Sequence, residues 1–113
     1  MPYIETKLST SLSKEKELTL KTALGKLIEN FPGKTENWLM LDFADNCHMY
    51  FKGTDEPCAY VNIALFGKGS DEAYDKMTAD VCTLLAKETG ISPDRIYVKY
   101  EEVFHWGWNG SNF

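Results

Sequence analysis

The residue of this chain with the clearest capacity for chemistry is Pro2, directly behind the initiator Met1. Methionine aminopeptidase trims Met1 when the next side chain is small, so the mature chain is expected to begin with a free secondary amine. An ordinary α-amine titrates near about 8. If Pro2-Tyr3-Ile4-Glu5-Thr6 forms a buried strand that carries this nitrogen into an apolar pocket, desolvation favours the neutral amine and lowers the pKa towards neutrality. An amine held in that state is a general base. Proline also suits this position for trimming and stability alone, so other residues must decide.

Few other groups compete for a chemical role. Cys47, Cys58 and Cys82 are odd in number and show neither paired nor metal-ligand spacing, which argues against a disulfide framework and against structural zinc. They read as small buried hydrophobes. His48 and His105 are too few and too scattered to complete a ligand set, so neither a metal nor a cofactor is expected.

The elements that would position Pro2 are written twice, at a constant offset of 57 residues. Gly33-Lys34-Thr35-Glu36-Asn37-Trp38-Leu39-Met40-Leu41-Asp42-Phe43 lies over the segment from Gly90 to Tyr100. The same offset pairs Leu20, Leu24, Leu27 and Ile28 with Met77, Val81, Leu84 and Leu85, which are the i, i+4, i+7, i+8 positions of one apolar helix stripe. It also pairs Tyr3, Ile4, Thr6 and Leu8 with Tyr60, Val61, Ile63 and Leu65, two segments of strand-like composition. Each half therefore reads strand, helix, strand.

Ser13 and Ser70 are the expected N-caps, with Glu15 and then Asp71 and Glu72 meeting the helix dipole. Pro32-Gly33 should stop the first helix and Gly90 the second. Right-handed β-α-β units then predict one α+β domain over residues 1–113, a two-layer sandwich with a four-stranded mixed sheet and both helices on one face. Two helices cover only one sheet face, yet Ala59 to Phe66 is apolar along most of its length. A partner subunit is the simplest cover, so an oligomer is expected. Gly53 to Pro57 reads as a turn, and Phe104, Trp106, Trp108 and Phe113 crowd the tail.

Composition bounds the partners. With 43% hydrophobic and 26% charged residues and a net charge of −5, the chain reads as an ordinary globular protein. Its twelve Lys and Arg are dispersed among seventeen acids, so no basic stripe is present to neutralise phosphates and nucleic acid is not an expected partner. No stretch approaches about 20 apolar residues, and the first thirty lack the order of a signal peptide. A cytoplasmic location without membrane association is the expectation.

With the repeat, Pro2 and the segment Ile91-Ser92-Pro93-Asp94-Arg95-Ile96-Tyr97 in hand, the whole chain resembles the macrophage migration inhibitory factor family of tautomerases. Further matching points are Gly33-Lys34, Glu56-Pro57-Cys58-Ala59, Gly67-Lys68 and the ending from Gly107 to Phe113. The resemblance implies a homotrimer whose three sheets line a barrel, with three pockets at the subunit interfaces. It implies Pro2 as the base, Lys34 holding the substrate's carboxylate or carbonyl oxygen, and Phe66 presenting its backbone amide. It further implies Tyr97 closing the pocket from a neighbouring chain, with Trp108 and Phe113 near the mouth.

There are departures from the family pattern. Lys99 stands where the family has a pocket asparagine, adding a second candidate cation. Cys58-Ala59-Tyr60-Val61 keeps one thiol of the family's pair, which argues against thiol–disulfide chemistry. The segment from Glu101 to Trp106 is about two residues shorter than in the vertebrate cytokine, and Trp106 is the expected cap there.

The implied reaction is keto–enol tautomerisation of an α-keto acid such as phenylpyruvate, with one base taking and returning the proton. Each residue also has an ordinary structural role open to it. Lys34 suits a helix C-terminus, Tyr97 and Phe66 suit a core, Lys99 a solvated strand, and Trp106, Trp108 and Phe113 an interface. Asp94 and Arg95 read as a structural ion pair. The rival function is that of vertebrate family members, extracellular cytokines that bind a cell-surface receptor, which would require export without a signal peptide.

Overall fold

The computed structural model describes residues 1–113. Strand β1 (Pro2–Leu8) leads to helix α1 (Lys14–Leu27) and strand β2 (Met40–Ala44). Strand β3 (Ala59–Phe66), helix α2 (Asp71–Thr89) and strand β4 (Ile96–Val103) repeat that order, and β5 (Gly107–Trp108) and β6 (Ser111–Asn112) make a short terminal hairpin. The sheet order is β2-β1-β3-β4. Each half contributes a parallel pair, and the halves join through the antiparallel pair of β1 and β3, with Ile4 opposite Ile63. The fold is thus the expected α+β sandwich, and the repeat in sequence is a repeat in space.

Local chemistry sets the helix ends. Ser13 accepts a hydrogen bond from the Lys16 amide, and Ser70 accepts one from the Ala73 amide, each satisfying an orphan donor of a first turn. Gly90 takes the left-handed conformation at φ 77° and returns its N–H to the Ala86 carbonyl. The first helix ends earlier than Pro32-Gly33: α-helical bonding stops at Leu27, and a 3-10 turn, Ile28–Asn30, carries the chain on to Phe31. The tighter turn serves the terminal carbonyls before the proline is reached.

Between the layers lies one core. Leu20, Leu24 and Ile28 of the first half and Met77, Val81 and Leu85 of the second are buried against Ile4, Leu8, Val61, Ile63 and Leu65 of the sheet. Leu27 and Leu84, at the stripe's margin, are only partly buried. Neither helix covers the opposite sheet face. Because side chains alternate along a strand, that face carries Tyr3, Glu5 and Lys7 of β1, Tyr60, Asn62, Ala64 and Phe66 of β3, and Tyr97, Lys99 and Glu101 of β4. The apolar run of β3 therefore divides into a dry helix side and a mixed aromatic and polar open side.

Arg95 corrects one expectation. It makes no pair with Asp94; its guanidinium donates to the carbonyls of Phe51, Glu56 and Pro57 at 2.9–3.0 Å and to that of Thr54 at 3.4 Å. A planar fork with five donors can serve several carbonyls at once, and the carboxylate nearest to it is that of Glu56 at 4.0 Å. The side chain, 11% exposed, thereby fastens the turn between β2 and β3 to the start of β4. No helix is long and apolar enough to cross a membrane.

Candidate active site

Lys34 is brought to the start of β1 by a tight turn. Its amide donates to the Phe31 carbonyl at 3.0 Å while Gly33 adopts φ 81°, a conformation that suits glycine. The ammonium then donates to the carbonyl of Phe66, at the end of β3, at 3.0 Å. Phe66 in turn donates its N–H to the Met1 carbonyl at 3.0 Å. Pro2 lies opposite Leu65 at the same sheet end, so Pro2, Lys34 and Phe66 converge.

The electrostatics at this point favour a base. The chain's amino group, here on Met1, has its pKa lowered from 8.0 to about 6, chiefly by burial and then by the charge of Lys34 and a hydrogen bond with it. In the unprocessed chain the nitrogen of Pro2 is an amide and cannot act as a base. Trimming Met1 makes it the terminal amine, on the residue opposite Leu65 and so one position from the Phe66 carbonyl that holds the Lys34 ammonium.

Aromatic rings form a continuous wall beside this end. Phe66 and Phe113 have centroids 5.8 Å apart, Phe113 stacks on Trp108 at 6.2 Å, and Trp108 meets Trp38 edge-on at 5.0 Å. An open groove of about 990 Å³ is lined by Met1, Pro2, Trp106, Trp108 and Trp38 and by Tyr3, Met40 and Asp42, while Lys34, Phe66 and Phe113 stand outside its lining. All three tryptophans of the chain line it. Trp106, the expected cap, is among them.

Tyr97 and Lys99 are not brought to this groove within one protomer. They stand on β4, at the sheet edge opposite β2. Tyr97, 63% exposed, rests edge-on against Phe51 with centroids 4.8 Å apart. Lys99 is no free cation: its ammonium pairs with Glu101 at 3.1 Å, an oxygen that also accepts from Asn62 at 3.3 Å. The three thiols are free, with Cys58 buried in strand-entry packing and the others half-buried.

Tyr3, Trp38 and Asp42 are groove residues that sequence reasoning missed. Trp38 ends a 3-10 turn, Glu36–Trp38, which lies close against α1 at the buried Gly25. A Cβ on Gly25 would meet the far end of the Glu36 side chain, with Glu36 Cδ at 2.6 Å, a contact that this half-exposed glutamate can relieve by turning aside. A large aromatic four residues beyond Lys34 was the available signal for Trp38.

The family model described as macrophage migration inhibitory factor (MIF) matches residues 1–113. The chain belongs to the macrophage migration inhibitory factor family of the tautomerase superfamily. Among its relatives, the macrophage migration inhibitory factor of Meriones unguiculatus is 32% identical over 99 residues, covering 83% of this chain and 84% of the relative. Among solved structures, Leishmania major MIF2 superposes with a TM-score of 0.93 at 36% identity, covering 100% of this chain and 97% of its own. A macrophage migration inhibitory factor homologue from Prochlorococcus marinus gives 0.83 at 29% identity, with 98% of each chain covered. The MIF fold with its two β-α-β halves is thus shared across the full length.

Proposed function

We propose that the processed chain is a phenylpyruvate-type keto–enol tautomerase with the Pro2 amine as its general base. The observation that carries this reading is the convergence of Pro2, Lys34 and Phe66 at the head of an aromatic groove, a place where burial and the Lys34 charge lower the pKa of the Met1 amine to about 6. A base poised near working pH takes a proton well and also returns it. The Pro2 nitrogen removes a proton from the carbon next to the ketone, the electron pair moves onto the carbonyl oxygen, and the resulting ammonium delivers the proton to that oxygen. Ketonisation is the same sequence reversed.

Lys34 would hold the carboxylate and steady the developing enolate. Loss of Met1 also removes the carbonyl that the Phe66 N–H now serves, leaving that amide free to donate to the substrate. Trp38, Trp106 and Trp108 would take the phenyl ring, with Phe113 stacked behind Trp108, and no cofactor is required.

On this reading the working unit is a homotrimer, with Tyr97 and Lys99 of a neighbouring subunit closing each groove. Two features support it: the open sheet face and the placement of both residues on the edge opposite β2. The test is phenylpyruvate tautomerisation by protein of verified mass lacking Met1, beside Pro2→Gly. A fall of at least about tenfold, roughly 1.4 kcal/mol of transition-state stabilisation, supports the base, and equal rates sink it.

A second reading follows from the relatives' name, macrophage migration inhibitory factor, which describes a signalling protein. Surface capture with a purified receptor ectodomain tests it, and absence of a saturable signal removes it for that receptor.

A further inference from the structure

The far end of the groove differs chemically from the end at Pro2. Tyr3 projects from β1 onto the open sheet face and donates its hydroxyl to Asp42 Oδ2 at 2.9 Å. Asp42 lies on the edge strand β2, solvent-exposed, with no Lys, Arg or His within salt-bridge distance, and its second oxygen has no protein donor. A carboxylate offers about four lone-pair sites, of which Tyr3 occupies one. The groove is otherwise mostly apolar, with Asn37 its other polar side chain.

The groove is therefore polarised along its length. Lys34 adjoins the Pro2 end, and Asp42, opposite Glu5 in the β1–β2 register, marks the other. At roughly 3.4 Å per residue, the step from Pro2 to Glu5 is about 10 Å, the length scale of an arylpyruvate. The Asp42 charge repels a keto acid's own carboxylate and so favours its entry with the carboxylate toward Lys34. The ring then points at an open acceptor. A phenyl ring leaves that acceptor to water, whereas a ring with a hydroxyl satisfies it directly.

We infer that the Tyr3–Asp42 pair is a specificity-determining element of this groove, selecting aromatic keto acids that carry a hydrogen-bond donor on the ring. This rests on the proposed function for the direction in which the substrate lies, but not on Pro2 being the base. Tyr3 acts by orienting Asp42, and Asp42 accepts the donor.

The experiment measures dissociation constants for 4-hydroxyphenylpyruvate and phenylpyruvate by quenching of the groove tryptophans, in Met1-free protein and in its Asp42→Ala and Asp42→Asn variants. The unsubstituted chain should bind the hydroxylated acid more tightly by at least about fivefold, the size of one net hydrogen bond. Asp42→Ala should erase that preference, bringing the ratio of the two constants to within about twofold of one, and Asp42→Asn, which keeps an acceptor oxygen, should restore part of it. A preference that is absent at the outset, or that survives Asp42→Ala, overturns the inference. So does an Asp42→Ala chain that changes its sedimentation with the binding ratio unaltered, because Asp42 would then serve an interface. The same binding measurement in Pro2→Gly separates the two ideas: a retained preference without turnover dependence on Pro2 upholds the specificity element and removes the base.

Discussion

Lys34 acts on two groups at once. Its ammonium is held by the Phe66 carbonyl, and its charge is the second cause, after burial, of the lowered pKa of the Met1 amine, a charge that the Pro2 amine would meet in its turn once Met1 is removed. Replacing it by alanine removes a repulsion between two cations, so the pKa of the terminal amine should rise. Because the base works only when neutral, the acid limb of the kcat/KM profile should move to higher pH in Lys34→Ala, with kcat/KM also falling at least about tenfold from loss of the carboxylate partner. A pH–rate profile of both proteins checks the two effects separately. An unmoved limb would show that Lys34 does not bear on the base. Pro2 was named from its place behind Met1 and Lys34 from the family resemblance, and the fold brings both to one end of the sheet. Tyr3 and Asp42 were not legible in the sequence, since their meeting depends on β1 and β2 being neighbours, a property of sheet order.

At the scale of elements, local chemistry and long-range chemistry separate cleanly. The caps Ser13 and Ser70, the Gly90 terminus and the apolar stripes at matching offsets could be read because each is set within a few residues. The Arg95 clamp escaped because a side chain on the approach to β4 serves backbone carbonyls some forty residues earlier, and no spacing announces such a bond. Its effect is measurable. Arg95→Met keeps the apolar stem but strips the donors, and should cost about 2 kcal/mol, because the partly accessible carbonyls can recover some bonding from water. Arg95→Lys should recover little of it, since one ammonium cannot span carbonyls arranged for a planar fork. Denaturant unfolding at fixed protein concentration compares the three, because subunit association shifts apparent stability. Tyr97 should feel the loss as well, through Phe51, whose ring lies against both Tyr97 and the Arg95 guanidinium.

For the molecule as a whole, the sheet has an uncovered face and its candidate site residues are divided between two edges. Pro2, Lys34 and the tryptophan groove gather at the β1–β2 end, whereas Tyr97 and Lys99 stand on β4 with two strands between β2 and β4. A monomer leaves that division without purpose. In a closed ring of identical subunits, the β4 edge of one chain can complete the groove of the next. Mixed assemblies discriminate the arrangements. A Pro2→Gly chain and a Tyr97→Ala chain should each be impaired alone. Co-refolded in equal amounts as a ring with shared sites, they place an intact Pro2 against an intact neighbouring Tyr97 at about a quarter of positions, so about a quarter of the unsubstituted activity should return. Sites built within a single chain would contain one defect or the other in every copy, and mixing would restore nothing. Sedimentation of the same mixture shows whether rings have formed, so a failure of assembly is distinguished from a failure of sharing. Restored activity would assign the uncovered sheet face its function: bringing the far edge of one subunit to the amino terminus of another.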